Sequence, residues 1–222
     1  MLLEKPKVNT TAGTIPVWSF TALLATLCLV GAAWSEPIST FSPDRTLLAT
    51  GHKDGTVKLW KVTADAEQVT LYKPLDPDFS AMSALVWDPV MVFSPNGKLL
   101  ATKRGDEPII LWAMPVGKEV VSLRGGGVGG VMKFSPDSKA LVALSHEDKA
   151  SGENTLVVWD VSTGKEKWRI RNSKKVEFRE VVFSPDGKTL AALDGRNTVT
   201  VWDLQSGKQQ SSLTLGAASG GK

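Results

Sequence analysis

The chain has 222 residues, 42% of them hydrophobic and 22% charged, with a formal net charge of +3. Without the first 35 residues, which carry Glu4, Lys5 and Lys7, the charge is +2, too balanced for broad electrostatic attraction to nucleic acid. The single cysteine is Cys28, so everything after it lacks the thiols for a disulfide or a cysteine-based metal site.

Lys5 and Lys7 precede an uncharged stretch from Ile15 to Ser35 that is dominated by Leu, Ala and Val. A hydrophobic N-terminal helix is predicted there. Small residues at Ala33 and Ser35 fit an export-signal cleavage site, with the processed chain starting at Glu36. At roughly 17–20 residues the core is also long enough to stay as a membrane anchor. Either way the preceding lysines leave the rest of the chain outside the cytoplasm. Leu27 before Cys28 argues against a lipoprotein signal, and a buried helix of the globular part is the remaining alternative.

From Ile38 onward one unit recurs four times. Phe41-Ser42-Pro43-Asp44 returns as Phe93-Ser94-Pro95-Asn96, Phe134-Ser135-Pro136-Asp137 and Phe183-Ser184-Pro185-Asp186. A second strand follows at Leu48-Ala49, Leu100-Ala101, Leu141-Val142 and Leu190-Ala191, and a third ends in Trp60, Trp112, Trp159 or Trp202. The Phe-to-Trp separations are 19, 19, 25 and 19 residues. Beyond Trp come Gly117-Lys118, Gly164-Lys165 and Gly207-Lys208, then an apolar residue at Leu71, Leu123, Ile170 or Leu213. Ser-Pro-Asp-Gly suits a type I turn, and Asp54-Gly55 and Asp194-Gly195 mark tight hairpins between strands two and three. Each unit therefore reads as four short strands that cannot bury their apolar faces alone.

In these residues the chain resembles the WD-repeat (WD40) family of β-propellers, especially bacterial members rich in Phe-Ser-Pro-Asp-Gly, over about Ile38 to Leu213. Trp159-Asp160 and Trp202-Asp203 keep the family's naming dipeptide, whereas Trp60-Lys61 and Trp112-Ala113 do not. The resemblance implies an all-β propeller of four blades, about 37–72, 88–124, 130–171 and 178–214, within a domain at 36–215 and before a disordered tail at 216–222. Family members often link a His before strand one to the third-strand Trp. Neither His52 nor His146 stands in that place, so packing is expected to hold the blades. Four blades lie at the low end for a propeller. A small ring, a pair of chains making a larger ring, and an open arc all remain possible.

Three irregularities break the pattern: a long connection at Lys73–Trp87, a glycine run at Gly125–Gly130, and six extra residues in blade three within Ser145–Asn154. All map to the rim where second-to-third turns and inter-blade connections emerge, and insertions on one face often mark binding. Asp76, Asp78, Phe79, Arg104, Asp106, His146, Asp148, Lys149 and Asn154 form the candidate partner-binding rim. The glycine run leads into a strand and lacks the helix N-terminus that a phosphate site needs. The basic stretch Lys165–Arg179 alternates with Trp168 and Ile170, as on the solvent side of an outer strand.

No catalytic, cofactor or metal residues are assigned. The first reading is a non-catalytic scaffold, exported or membrane-tethered, that binds an unidentified protein, with self-association as a further option. It has no nucleic-acid role and meets a membrane only through residues 15–35. The alternatives are a sensor ectodomain active only as an oligomer, and a propeller enzyme with a cation held by Asp54, Asp106, Asp148 and Asp194.

Overall fold

The computed structural model describes residues 39–52, 55–63, 66–72, 89–104, 107–124, 131–148, 153–171 and 177–215. The N-terminal stretch read as a helix and leader, and the tail beyond 215, lie outside the described residues. Among the described residues there are sixteen strands and no helix. They form four antiparallel sheets of four, each built from one repeat with its strands in chain order. The first is β1 (Ser39–Phe41), β2 (Leu47–Gly51), β3 (Val57–Lys61) and β4 (Ala66–Thr70). The second is β5 (Val90–Phe93), β6 (Leu99–Lys103), β7 (Ile109–Ala113) and β8 (Lys118–Leu123). The third is β9 (Met132–Phe134), β10 (Ala140–Asp148), β11 (Glu153–Asp160) and β12 (Glu166–Arg171). The fourth is β13 (Phe178–Phe183), β14 (Thr189–Asp194), β15 (Thr198–Asp203) and β16 (Gln209–Thr214). This is the propeller-like, all-β architecture that the repeats predict.

The first turn of every blade is closed by its serine. The amides of Leu47, Leu99 and Ala140 donate to Ser42, Ser94 and Ser135 Oγ at 2.9 Å, and that of Thr189 donates to Ser184 Oγ at 3.0 Å. Each serine hydroxyl in turn donates to Asp44, Asn96, Asp137 or Asp186 Oδ1, at 2.6–2.8 Å. The residue after the Asp or Asn takes the left-handed conformation, with φ of 60°, 70°, 63° and 68° at Arg45, Gly97, Ser138 and Gly187.

A regular irregularity went unread in the sequence. The pairing of the third and fourth strands slips by one residue at the tryptophan in every blade, so Trp60, Trp112, Trp159 and Trp202 pair with Glu67, Glu119, Glu166 and Gln209. A bulge of this kind adds local twist to the outer strand.

Three apolar clusters join consecutive sheets. Leu47, Ala49, Val57, Leu59 and Leu71 of the first blade meet Met91, Phe93, Leu100 and Trp112 of the second. Ala101, Ile109, Leu111 and Leu123 then meet Met132, Phe134, Leu141 and Trp159. Ala140, Val142, Leu156 and Val158 meet Phe178, Val181, Leu190 and Trp202. Alternate residues of each strand thus serve two interfaces, one forward and one backward along the chain.

Among the described residues no such cluster joins blade four to blade one. Leu213, at the register position of Leu71 and Leu123, is 64% exposed where those are 9% and 0%. Phe41, at the position of Phe93 and Phe134, is 52% exposed where both of those are 7%. Of the outcomes left open by the sequence, the described residues form an open arc.

Candidate partner-binding rim

Strand alternation sends the second-to-third turns and the inter-blade connections to one rim of the stack. Blade three stands out on it. β10 and β11 have nine and eight residues, whereas β2 and β6 have five and β14 six. The six extra residues therefore prolong a hairpin and do not form a loose loop. Pairing continues to Asp148 opposite Glu153, after a register shift beyond Ser145. About three more residues per strand raise this tip by ~10 Å at roughly 3.3 Å each.

His146 and Asp148 lie on β10 and Asn154 on β11, with the backbone alone described. Asp76, Asp78, Phe79, Asp106 and Lys149 lie outside the described residues. Arg104 is the rim residue whose side chain is defined. It is engaged within the chain. Its Nε and NH2 donate to Glu107 Oε2 and Oε1 at 3.1 and 2.6 Å, its NH1 donates to the Gly55 carbonyl at 3.2 Å, and its guanidinium lies 4.5 Å from the Tyr72 ring centroid. A fork-shaped cation suits this three-way duty, because bidentate pairing and ring stacking are both open to guanidinium. Arg104 thereby ties blade two to blade one.

Beneath it lies a polar network that the sequence reading missed. The only tyrosine of the chain, Tyr72, is buried and its hydroxyl accepts from Thr102 Oγ1 at 3.1 Å. Thr102 Oγ1 accepts from Trp112 Nε1 at 2.6 Å, and Tyr72 and Trp112 meet edge to face at 5.4 Å. Burial pushes the Tyr72 hydroxyl up to about 12, so it stays neutral and able to donate. Nearby, buried Lys103 donates to the Glu107 carbonyl at 3.0 Å. In blade one Trp60 likewise donates to Thr50 Oγ1 at 2.8 Å, and Thr50 Oγ1 lies 3.0 Å from His52 Nε2. The expectation that packing alone holds the blades is corrected for these two. Blades three and four have Ala143 and Ala192 at the threonine position and so lack this threonine link. The signal was legible in principle: a threonine ten residues before the tryptophan in the first two repeats only.

Asp194 accepts from the amides of Arg196 and Thr198 at 2.9 and 2.8 Å, so this carboxylate holds its own hairpin. Among the described residues no group of three or more His, Cys, Asp or Glu is placed to hold a metal. On β12, Lys167, Arg169 and Arg171 are exposed while Trp168 and Ile170 are half-buried, and Trp168 Nε1 donates across to the Leu204 carbonyl at 3.0 Å. The basic stripe thus faces solvent on an outer strand, with Arg169 paired to Glu166 at 2.5 Å. Among the described residues no helix is long and apolar enough to cross a membrane.

The family model described as "WD domain, G-beta repeat" matches residues 30–61, which include β1 to β3 of blade one. With four such units in register, the assignment follows. The chain is a WD-repeat protein.

The WD-repeat chain is 32% identical over 134 residues to human (Homo sapiens) apoptotic protease-activating factor 1, covering 60% of this chain and 10% of that protein. Periodic tryptophan protein 2 of Arabidopsis thaliana is 28% identical, over 82% of this chain and 24% of its own length. The WD repeat-containing protein 26 homolog of the same plant is 25% identical, over 69% and 24% respectively. The chain spans between a tenth and a quarter of these relatives.

Proposed function

We propose that this WD-repeat chain is a non-catalytic protein–protein interaction scaffold whose loop-rich rim carries the contact surface. The observation that supports this most is the prolonged β10–β11 hairpin, the one second-to-third connection among the described residues that outreaches its neighbours. Paired strands present side chains at fixed spacing, which suits recognition better than a loose loop of equal length. The irregular connections flanking blade two belong to the same rim by strand alternation.

The test replaces 146–154 with an Asp-Gly turn, so that blade three keeps its hairpin, and compares affinity capture by the two chains. A partner held by the parent and lost by the shortened chain supports the rim; equal capture overturns it. The further part of the proposal is export or tethering through residues 15–35, with the blades outside the cytoplasm. The family match beginning at residue 30 overlaps the suggested cleavage point at Ser35. N-terminal sequencing of the cellular product decides: a start at Glu36 means cleavage, and an intact terminus in a membrane fraction means an anchor. An intact terminus in the soluble cytoplasm rejects both.

A further inference from the structure

Among the described residues the first and last blades each leave an apolar face uncovered. Blade four shows its forward face, formed by Ala191, Leu193, Val199, Val201 and Leu213. These stand in register with residues that blades one to three bury against the next sheet: Ala49, Ala101 and Val142; Val57, Ile109 and Leu156; Leu59, Leu111 and Val158. None of the five is buried. Val182 and Leu215 extend the same apolar concavity, and both are exposed. Blade one shows its backward face through Phe41, Leu48 and Trp60, whose counterparts Phe93, Leu100 and Trp112 are buried.

We propose that a second copy of this chain docks head to tail on these faces, with blade four of each copy on blade one of the other, closing an eight-sheet ring. Eight blades lie within the range that propellers adopt. A heterologous contact that closes after two copies leaves no apolar face open. The occupant is argued from continuity, since the junction repeats the three already inside each chain. In the internal junctions Gly117, Gly164 and Gly207 sit against Val69, Val121 and Trp168, with an added Cβ only 2.5–2.8 Å from those side chains. On the open face of blade four the position of Val69, Val121 and Trp168 is held by Ser211, which is small and exposed.

Light scattering of the full chain measures the mass, against 23.8 kDa for one copy. Twice that mass is expected. Leu213→Asp and Phe41→Asp alter exposed side chains, so both variants keep the parent's far-ultraviolet spectrum, and each should drop to the single-copy mass. Mixing the two variants should restore the double mass, because the mixed pair contains one junction with both faces intact. That rescue is peculiar to a head-to-tail contact. A single-copy mass for the parent overturns the proposal, including the case where protected β16 amides show another part of the chain covering the face. A Phe41→Asp chain that still pairs, or open-ended polymers, would equally overturn it.

Discussion

Ser42, Ser94, Ser135 and Ser184 each accept a backbone amide five residues on and donate to the Asp or Asn two residues on. The Ser42 hydroxyl and Thr46 amide hold Asp44 below its ordinary 3.8, and the Ser184 hydroxyl and Lys188 amide do the same for Asp186. Burial pushes Asp137 up, but the Ser135 hydroxyl and Lys139 amide outweigh it and the net shift is again downward. A carboxylate whose folded value is depressed adds stability above the unfolded value near 3.8, lost as pH falls through the folded one. Asn96 makes the same contacts without titrating. The triple variant Asp44→Asn, Asp137→Asn, Asp186→Asn should therefore show a shallower loss of stability below pH ~3.8 in urea unfolding; an unchanged acid limb would exclude these turns as its source. The left-handed position beside them offers a second test. Arg45 adopts φ 60° with a side chain, whereas Gly97 and Gly187 hold the conformation without one. Arg45→Gly should stabilise by about 1 kcal/mol in chemical denaturation. Ser138→Gly should gain less, because Ser138 Oγ accepts the Asn96 amide at 3.2 Å across the blade boundary.

At the scale of the strand and its blade, two kinds of junction hold the stack. Glycines five residues past the tryptophan let a turn lie directly on the preceding outer strand. Gly164→Ala would set a Cβ 2.5 Å from Val121 at a φ of 67°, and a loss of about 1–3 kcal/mol should appear in thermal unfolding. The other junction is polar. Thr102→Val leaves the Trp112 N–H and the Tyr72 hydroxyl without Thr102 and should cost about 1–3 kcal/mol, whereas Ala192→Thr, in the blade without that network, should bring no comparable gain. Arg104→Met should lower stability by a similar ~1–3 kcal/mol through loss of the Glu107 and Gly55 contacts, while capture of a rim-bound partner stays unchanged. Lost capture with unchanged stability would instead make Arg104 a contact residue.

Across the whole molecule, stability in a stack of this kind is a sum of units and neighbour interfaces. Equivalent positions should therefore differ by place in the stack. Leu111 is fully buried between blades two and three, while Val201, its counterpart in blade four, is half-exposed on the open face. Leu111→Asp should unfold the chain, with a cost above ~4 kcal/mol, because it buries a charge. Added to the single-copy Leu213→Asp variant, Val201→Asp should change the melting curve by no more than about 1 kcal/mol, whereas in the parent it should lower the molecular mass. Equal melting losses would mean the fourth forward face is covered within the single chain.

Much of this was legible from the chain of residues. The four copies, their strands, the serine turns and the tryptophan register follow from local preference and from a period that only a repeated sheet satisfies. The solvent side of β12 was legible too, because strand alternation is a local rule. Arg104 was picked out by position on the rim, yet its inward engagement depends on Tyr72 and Gly55, which lie far away in sequence. The bulge at each tryptophan was hidden because one-residue slips in pairing leave the apolar pattern of each strand intact. Sequence alone thus determined the repeating unit and its number, since both rest on short-range chemistry. Tertiary structure alone decided which faces are buried, that blade three's extra residues prolong a hairpin, and that among the described residues no apolar cluster joins blades one and four. Closure depends on the angle accumulated over successive interfaces, and no single repeat encodes that sum.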